Sequence, residues 1–141
     1  MDKLQLMYRL GLLLDRNILS FYRNTYKGVV GQVQQQTLSD LYEYHSMRPQ
    51  DVADRLNIPK QHASKILTRL VELGYVFGSP APDDKRSRIY SLTAEGKTLV
   101  EKHIEESNQH FQRLIRGLSA DEQSALNQAM STIVSLLERM G

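Results

Sequence analysis

The stretch from residue 60 to residue 92 constrains the fold more than any other part of the chain. Its first half, KQHASKILTRLVELG, places apolar residues at three- and four-residue steps and ends on Gly74, which is the pattern of an amphipathic helix with a glycine stop. Its second half contains two β-favouring segments, YVFGS and RIYSL, on either side of a charged, proline-containing segment. We therefore predict a helix followed at once by a two-stranded hairpin with an exposed, charged tip.

The rest of the chain has the periodicity of α-helices. A long helix is predicted before the glycines of NTYKGVVGQV, and a second helix over residues 34–47. Arg48-Pro49 marks the start of a short helix, because proline suits a first helical turn. After the hairpin, Thr93 is expected to cap one helix, and a capping box from Ser119 to Glu122 opens the last one. The predicted fold is mainly α with a small two-stranded β wing.

Composition excludes several classes of protein. The chain has no cysteine, so it has no disulfides and no thiolate metal sites. It has no run of the roughly 20 apolar residues that a membrane helix needs, and its N-terminus lacks the features of an export signal, so we expect a cytoplasmic protein with no membrane partner. No catalytic triad, phosphate-binding loop or supported carboxylate pair is present, and the single Gly-x-x-Gly at 28–31 is too weak a motif to count. We therefore expect neither an enzyme nor a bound cofactor.

The basic part of the chain coincides with the predicted helix and hairpin. Residues 45–90 contain eight Lys and Arg against five Asp and Glu, a net charge of +3. On a helical wheel, the apolar stripe of residues 60–74 leaves polar side chains on the opposite face, and these types of side chain reach base edges or phosphates in a major groove. His62 lies at the border of the apolar stripe, so it could either contact a phosphate through a ring nitrogen or pack against the core. The candidate DNA-binding residues of this helix are Lys60, Gln61, His62, Ser64, Lys65, Thr68 and Arg69.

The hairpin tip carries the second group of candidate DNA-binding residues. A two-helix unit followed by a hairpin with Lys85, Arg86 and Arg88 near its tip is the arrangement of a winged helix, in which the tip reaches the adjacent minor groove. A narrow minor groove attracts arginine because it concentrates negative potential. Asp83 and Asp84 are expected to orient these arginines by bidentate contacts.

These residues resemble the multiple-antibiotic-resistance regulator (MarR) family of winged-helix transcription factors. The resemblance is specific in the wing, where Asp84-Lys85-Arg86, then Leu92-Thr93, then Gly96 match the family pattern D-[KR]-R followed by L-T-x-x-G. The order of elements is similar along the whole chain. The resemblance implies one unit over residues 1–141, with dimerisation helices in 1–33 and 97–141 and a winged helix-turn-helix DNA-binding lobe in 34–96. Two positions depart from the pattern: Ala81 replaces a residue that is often acidic, and Gly78 one that is often arginine.

The resemblance also implies a homodimer that binds a pseudo-palindromic DNA operator, typically as a repressor. It assigns DNA contacts to Lys65 and to the wing-tip Arg86, with Asp84 as the partner of Arg86. The apolar stripes at both ends of the chain independently favour a second copy as their cover. Family members commonly release DNA when a small phenolic or aromatic anion binds between the dimer helices and the DNA-binding lobe. Core packing is the competing role for the tyrosines that would line this effector site, which are Tyr8, Tyr22, Tyr26, Tyr42 and Tyr44.

Two alternative functions remain open at this stage. His103, Glu106 and His110 recur at helical spacing and, with His45 from another helix, would suit a zinc-responsive regulator, although such spacing is more often a solvated helix face. A winged helix can also serve only for contact with another protein.

Overall fold

The computed structural model describes residues 1–141, which form seven α-helices and three short β-strands. The mainly α fold predicted from the sequence is confirmed, and no helix combines the length and apolar character that crossing a lipid bilayer requires. The helices are α1 (Lys3–Leu14), α2 (Ser20–Thr25), α3 (Gln32–Tyr44), α4 (Pro49–Leu56), α5 (Lys60–Glu72), α6 (Ala94–Ile115) and α7 (Ala120–Met140). The strands are β1 (Ser46–Met47), β2 (Val76–Pro80) and β3 (Arg88–Leu92).

The predicted first long helix is interrupted by a π-helical turn over Asp15–Leu19, between α1 and α2. Side chains compete for backbone carbonyls here, since Asn17 Nδ2 donates to the Leu13 carbonyl at 2.8 Å and Ser20 Oγ to the Arg16 carbonyl at 3.3 Å. An Arg23–Asp15 ion pair of 2.7 Å spans the turn. The hydrogen bond from Arg23 lowers the pKa of the Asp15 carboxyl.

Local signals set the bounds of the two helices that lead into the wing. Pro49 occupies the first turn of α4, and the backbone N–H of Arg48 donates to Asp51 Oδ2 at 2.8 Å. Asn57 ends α4 in the left-handed conformation, with φ +55°. Gly74 follows α5 with φ +85°, a backbone conformation that favours glycine, so its predicted role as a stop is confirmed.

The wing belongs to a three-stranded antiparallel sheet in the order β1-β3-β2. The predicted hairpin pairs β2 with β3, from Val76 opposite Leu92 to Pro80 opposite Arg88. The added strand, β1, pairs Met47 with Tyr90 on the other edge of β3. The two-residue β1 carries no periodic pattern of its own, and its pairing joins residues far apart in the sequence. The short strand fastens the base of the wing to the segment just before α4.

The main core lies among α3, α4, α5 and the sheet. Leu38, Leu67 and Leu70 are fully buried in it, and each such side chain stabilises the fold by about 1.5–3 kcal/mol relative to exposure. Buried side chains from every one of these elements meet in the same cluster, which is why the helix-turn-helix and the wing fold as one lobe. The buried members are Leu38, Leu41, Met47, Val52, Ala53, Ala63, Ile66, Leu67, Leu70, Val76 and Val100.

The L-T-x-x-G segment joins the end of α5 to the start of α6. Thr93 Oγ1 donates to the Gly74 carbonyl at 2.6 Å and accepts from the backbone N–H of Gly96 at 3.0 Å, so Thr93 caps α6 as predicted. The backbone N–H of Thr93 also donates to the Tyr75 carbonyl at 3.0 Å. A Cβ at position 96 would lie only 2.0 Å from that same carbonyl oxygen. Glycine is therefore required for this close approach.

The chain divides into two compact units, Met1–Ser107 and Asn108–Gly141. In the second unit, Ser119 and Glu122 form the predicted capping box at the start of α7, with bonds of 2.9 and 3.1 Å. No residue of α7 is buried, and none of α1 in the first unit is buried. Each helix therefore exposes large apolar side chains, namely Leu4, Leu6, Met7, Leu10, Leu12 and Leu13 in α1 and Val134, Leu136, Leu137 and Met140 in α7.

Candidate nucleic-acid interface

Helix α5 has one buried face and one exposed polar face, as its periodicity predicts. Ala63, Ile66, Leu67 and Leu70 are buried in the core. Because an α-helix turns about 100° per residue, the residues between them point away from the lobe. The exposed candidates are Lys60, Gln61, His62, Lys65, Thr68 and Arg69, and Ser64 is half-buried. His62 is thus solvent-facing and is not packed into the core.

Two of these side chains have partners within the helix. Thr68 Oγ1 donates to the Ser64 carbonyl at 2.9 Å. Arg69 forms an exposed ion pair of 3.1 Å with Glu72 in the last turn. Such exposed pairs contribute only about 0–1 kcal/mol, so a phosphate can replace Glu72 as the partner of Arg69 at little cost.

Asp84 shapes the turn at the wing tip. Its carboxylate accepts from the backbone N–H of Arg86 at 3.0 Å and from Ser87 Oγ at 3.4 Å, and its carbonyl accepts from the backbone N–H of Ser87. The prediction that Asp84 holds the Arg86 guanidinium is wrong, because a short polar side chain after the start of a turn bonds the nearby backbone first. Lys85 and Arg86 are exposed at the tip this turn creates.

Gly78 makes room for the side chain of Arg88. A Cβ at position 78 would lie 3.0 Å from Nε and from a terminal nitrogen of Arg88, and 3.0 Å from the ring of Tyr90. The side chain of Arg88 therefore crosses from β3 over Gly78 of β2 and occupies the space that a side chain at position 78 would need. The glycine that departs from the family pattern is accompanied by an arginine of β3 that covers the same position.

Arg48, for which the sequence predicted no role at the wing, contacts the wing directly. Its guanidinium forms an ion pair of 2.6 Å with Asp83, linking the start of α4 to the wing over 35 residues of sequence. The prediction that Asp83 orients a wing arginine is wrong for this reason. The hydrogen bond from Arg48 is the main cause of the lowered pKa of the Asp83 carboxyl, which keeps Asp83 ionised. The sequence signal at Arg48 was limited to the helix start at Pro49.

A basic cleft of about 420 Å³ lies between the starts of α4 and α5 and the wing. Its charged lining residues are four cations, Arg48, Lys60, Arg86 and Arg88. Lys60 opens α5, whereas Arg86 and Arg88 belong to the wing, so the two predicted groups of DNA-binding residues meet here. The remaining lining residues are Pro49, Gln50, Ser87 and Tyr90. We refer to these eight residues as the basic cleft.

Comparisons with known proteins agree with this geometry. Residues 30–96 match the family model of the winged helix DNA-binding domain. The chain superposes on wild-type MarR of E. coli with a TM-score of 0.73, at 22% identity, covering 94% of this chain and 96% of MarR. The chain has the MarR winged-helix fold. The transcriptional regulator Tm0710 of Thermotoga maritima also shares it, with a TM-score of 0.79 at 20% identity and coverage of 97% and 96%.

Curated relatives match over a shorter length. The HTH-type transcriptional regulator YfiV of Bacillus subtilis (strain 168) is 25% identical over 105 residues, which is 74% of this chain and 66% of YfiV. The HTH-type transcriptional regulator PapX of Escherichia coli is 25% identical over 80 residues, which is 57% of this chain and 49% of PapX. The aligned part thus covers 66% of the length of YfiV and 49% of the length of PapX.

Within this MarR fold, the five candidate effector tyrosines do not line one cleft. Tyr22 and Tyr26 meet, with their hydroxyls 2.9 Å apart and their rings edge to face. Tyr42 packs against the core, Tyr44 lies beneath Arg55 with 3.6 Å from ring centre to guanidinium carbon, and Tyr8 is exposed on α1. Of the five tyrosines, only Tyr22 and Tyr26 lie close enough together to contribute to one binding site.

Tyr26 lines a cavity of about 190 Å³ between α2 and the start of α3. Gln35 faces the same cavity, and its buried Oε1 has no hydrogen-bond partner, although its Nε2 donates to Ser39 Oγ at 2.9 Å. Lys27 supplies a positive charge to the lining, whereas the Arg23 guanidinium is already paired with Asp15. Burial is the main cause of the raised pKa of the Tyr26 hydroxyl, which stays protonated and can donate. This cavity suits a small molecule that carries a donor and a negative charge.

His103, one of the histidines of the zinc alternative, is buried. His103 is 3% exposed, its ring stacks on Tyr26 at 3.8 Å, and its Nδ1 lies 2.8 Å from Thr25 Oγ1. The prediction of a solvated face is wrong at this position. Glu106 is 3.9 Å from Nδ1, and no group of three or more His, Asp or Glu side chains is arranged to hold a metal ion, so His103, Glu106 and His110 form no ligand set. Burial lowers the pKa of His103.

Proposed function

We propose that the chain is a transcriptional regulator that binds double-stranded DNA sequence-specifically. Helix α5 enters the major groove, and the wing tip at Lys85 and Arg86 enters the adjacent minor groove. The observation that carries this proposal is the basic cleft, in which Lys60 of α5 and Arg86 and Arg88 of the wing surround one space. A DNA backbone that runs between the two grooves passes between these same two elements.

The two groups of side chains divide the work of recognition. Gln61 and Lys65 on the exposed face of α5 read base edges, since an amide pairs with adenine and an ammonium with guanine. Lys60, Arg86 and Arg88 contact phosphates or the minor groove and provide most of the affinity, without reading sequence in the major groove. His62, Ser64, Thr68 and Arg69 complete the contact face.

We further propose that the regulator is a homodimer that represses transcription from a pseudo-palindromic operator in the cytoplasm. The exposed apolar side chains of α1 and of α7 support this, because a soluble chain rarely leaves such stripes uncovered. A two-fold dimer places two α5 helices about one DNA turn, or roughly 34 Å, apart. Inverted half-sites at that spacing are the expected operator.

A small phenolic or aromatic anion is the proposed effector, and the Tyr26 cavity is its proposed site. The unpartnered Oε1 of Gln35 accepts from the ligand, and Lys27 balances its charge. A panel of single-ring phenolic carboxylates, titrated into the protein–DNA complex, should release DNA. Lys27→Gln should weaken this release, whereas the matched exposed change Lys3→Gln on α1 should not. Release that is equally strong in both variants would place the effector elsewhere.

The first experiment is selection of bound duplexes from fragmented genomic DNA and from a random library. The proposal predicts an enriched inverted repeat, bound by one dimer, with an affinity that falls steeply as salt rises. Each phosphate contact should add about 0.9 to the log–log slope of the affinity against salt. Retention of no DNA would favour the alternative in which α5 and the wing contact another protein.

A further inference from the structure

Arg48 differs from the other three cations of the basic cleft in already having a carboxylate partner. Its guanidinium holds Asp83 at 2.6 Å, whereas Lys60, Arg86 and Arg88 form no ion pair. The Arg48 side chain is 39% exposed and that of Asp83 67% exposed, so both groups remain open to solvent. Asp83 is thus an anion held at the edge of a cleft that is otherwise lined by unpaired positive charge.

The partner of Arg48 is readily exchanged. An exposed ion pair gains little over its two hydrated ions, because water screens the charges. A phosphate diester offers a guanidinium the same arrangement of two anionic oxygens as a carboxylate does. Lys60, Arg86 and Arg88 line the same cleft and also attract a phosphate. A phosphate in the cleft therefore interacts with four cations, whereas Asp83 is paired with Arg48 alone.

We propose that Arg48 is a further DNA-contacting residue and that Asp83 is its competitor. In the free protein, Asp83 occupies the position of a backbone phosphate on the Arg48 guanidinium. On DNA binding, the phosphate enters the basic cleft and replaces Asp83, which turns out to solvent. This inference rests on the proposed DNA-binding function and adds to it an internal anion that weakens binding to every sequence alike.

Removing the competitor should therefore strengthen binding. Asp83→Asn keeps the shape of the side chain but releases Arg48, and the affinity for specific and nonspecific duplexes should rise by about two- to fivefold, the range that an exposed ion pair spans. Arg48→Ala should lower the affinity and reduce the log–log salt slope by about 0.9. A purely structural clamp between α4 and the wing predicts the opposite sign for Asp83→Asn, because the loosened wing would bind less well.

The test is a double-mutant cycle measured by fluorescence anisotropy on the full chain, using one selected duplex and one random duplex over a series of KCl concentrations. The proteins are wild type, Asp83→Asn, Arg48→Ala and the double variant, with thermal melting to show that each is folded. The gain from Asp83→Asn should vanish when Arg48 is absent, which separates exchange from a general loss of negative charge.

The outcomes distinguish this inference from the proposed function. If wild type binds DNA with a steep salt slope but Asp83→Asn leaves the affinity unchanged or lowers it, competition by Asp83 is overturned and the regulator remains. A gain of the same size in the Arg48→Ala background would also overturn it. If wild type binds neither duplex at any salt concentration, the proposed function itself fails.

Discussion

Replacing Gly96 by alanine should destabilise the lobe severely, because the new methyl group would overlap the backbone of Tyr75. The Cβ would lie 2.0 Å from the Tyr75 carbonyl oxygen, against a lower limit of 3.0 Å in real contacts, so α6 or the end of α5 must shift by about 1 Å. That shift breaks or lengthens the bonds that Thr93 makes to Gly74 and Tyr75, at 2.6 and 3.0 Å.

The magnitude follows from these contacts. Two weakened hydrogen bonds cost about 1 kcal/mol each, and overpacking adds about 1–3 kcal/mol. A total of about 3–5 kcal/mol corresponds to a fall in Tm of roughly 10–17 °C for a chain of this size. Thermal and urea unfolding followed by circular dichroism, at one fixed protein concentration, measure it.

Gly117→Ala is the matched control. No atom lies within 4 Å of the position its Cβ would take, and its φ is outside the left-handed region. Its Tm should stay within about 2 °C of wild type, as for most exposed substitutions. The reasoning about the α5–α6 junction is refuted if Gly96→Ala melts as close to wild type as this control does.

Three further predictions concern binding, pH and assembly. Arg86→Ala should weaken binding to all duplexes alike and reduce the log–log salt slope by about 0.9. Gln61→Ala should instead relax base preference at one position by about 1–3 kcal/mol. Fluorescence anisotropy on a set of single-base duplex variants separates the two effects, and equal behaviour of the two variants would contradict the division of roles. Burial lowers the pKa of His103 below its unfolded value, so the unfolded chain binds the proton more readily and the free energy of unfolding should fall as pH drops below about 6.5. Urea unfolding from pH 7 to pH 5 should show a shallower pH dependence for His103→Gln; an identical dependence would assign the effect to other groups. Met7→Lys on the exposed face of α1 should shift sedimentation equilibrium from dimer to monomer, and an unchanged mass would exclude that face from the dimer interface.

Local signals predicted most of the fold. The spacing of Ala63, Ile66 and Leu70 gave the orientation of α5, and the capping pair of Ser119 and Glu122 gave the start of α7. These features depend on neighbours within a few residues, so a single sequence contains them. The exposed DNA-binding candidates of α5 followed from the same periodicity.

Features that depend on distant partners could not be predicted in the same way. Strand β1 exists because Met47 pairs with Tyr90, and Asp83 pairs with Arg48 because the two residues, far apart in the sequence, lie close in space. His103 is buried by contacts with α2, although its own helix offers the same spacing as a solvated face. Each of these outcomes is decided by packing between elements.

The most direct test of the central claim is to map the grooves that α5 and the wing occupy on bound DNA. Because the chain has no cysteine, Gln61→Cys and Lys85→Cys each provide one attachment point for an iron chelate that cleaves nearby deoxyribose. On the selected duplex, the account predicts cleavage across the major groove of each half-site from position 61 and cleavage in the adjacent minor groove from position 85. Strong binding with no cleavage from either position, or the same cleavage pattern from both, would contradict it.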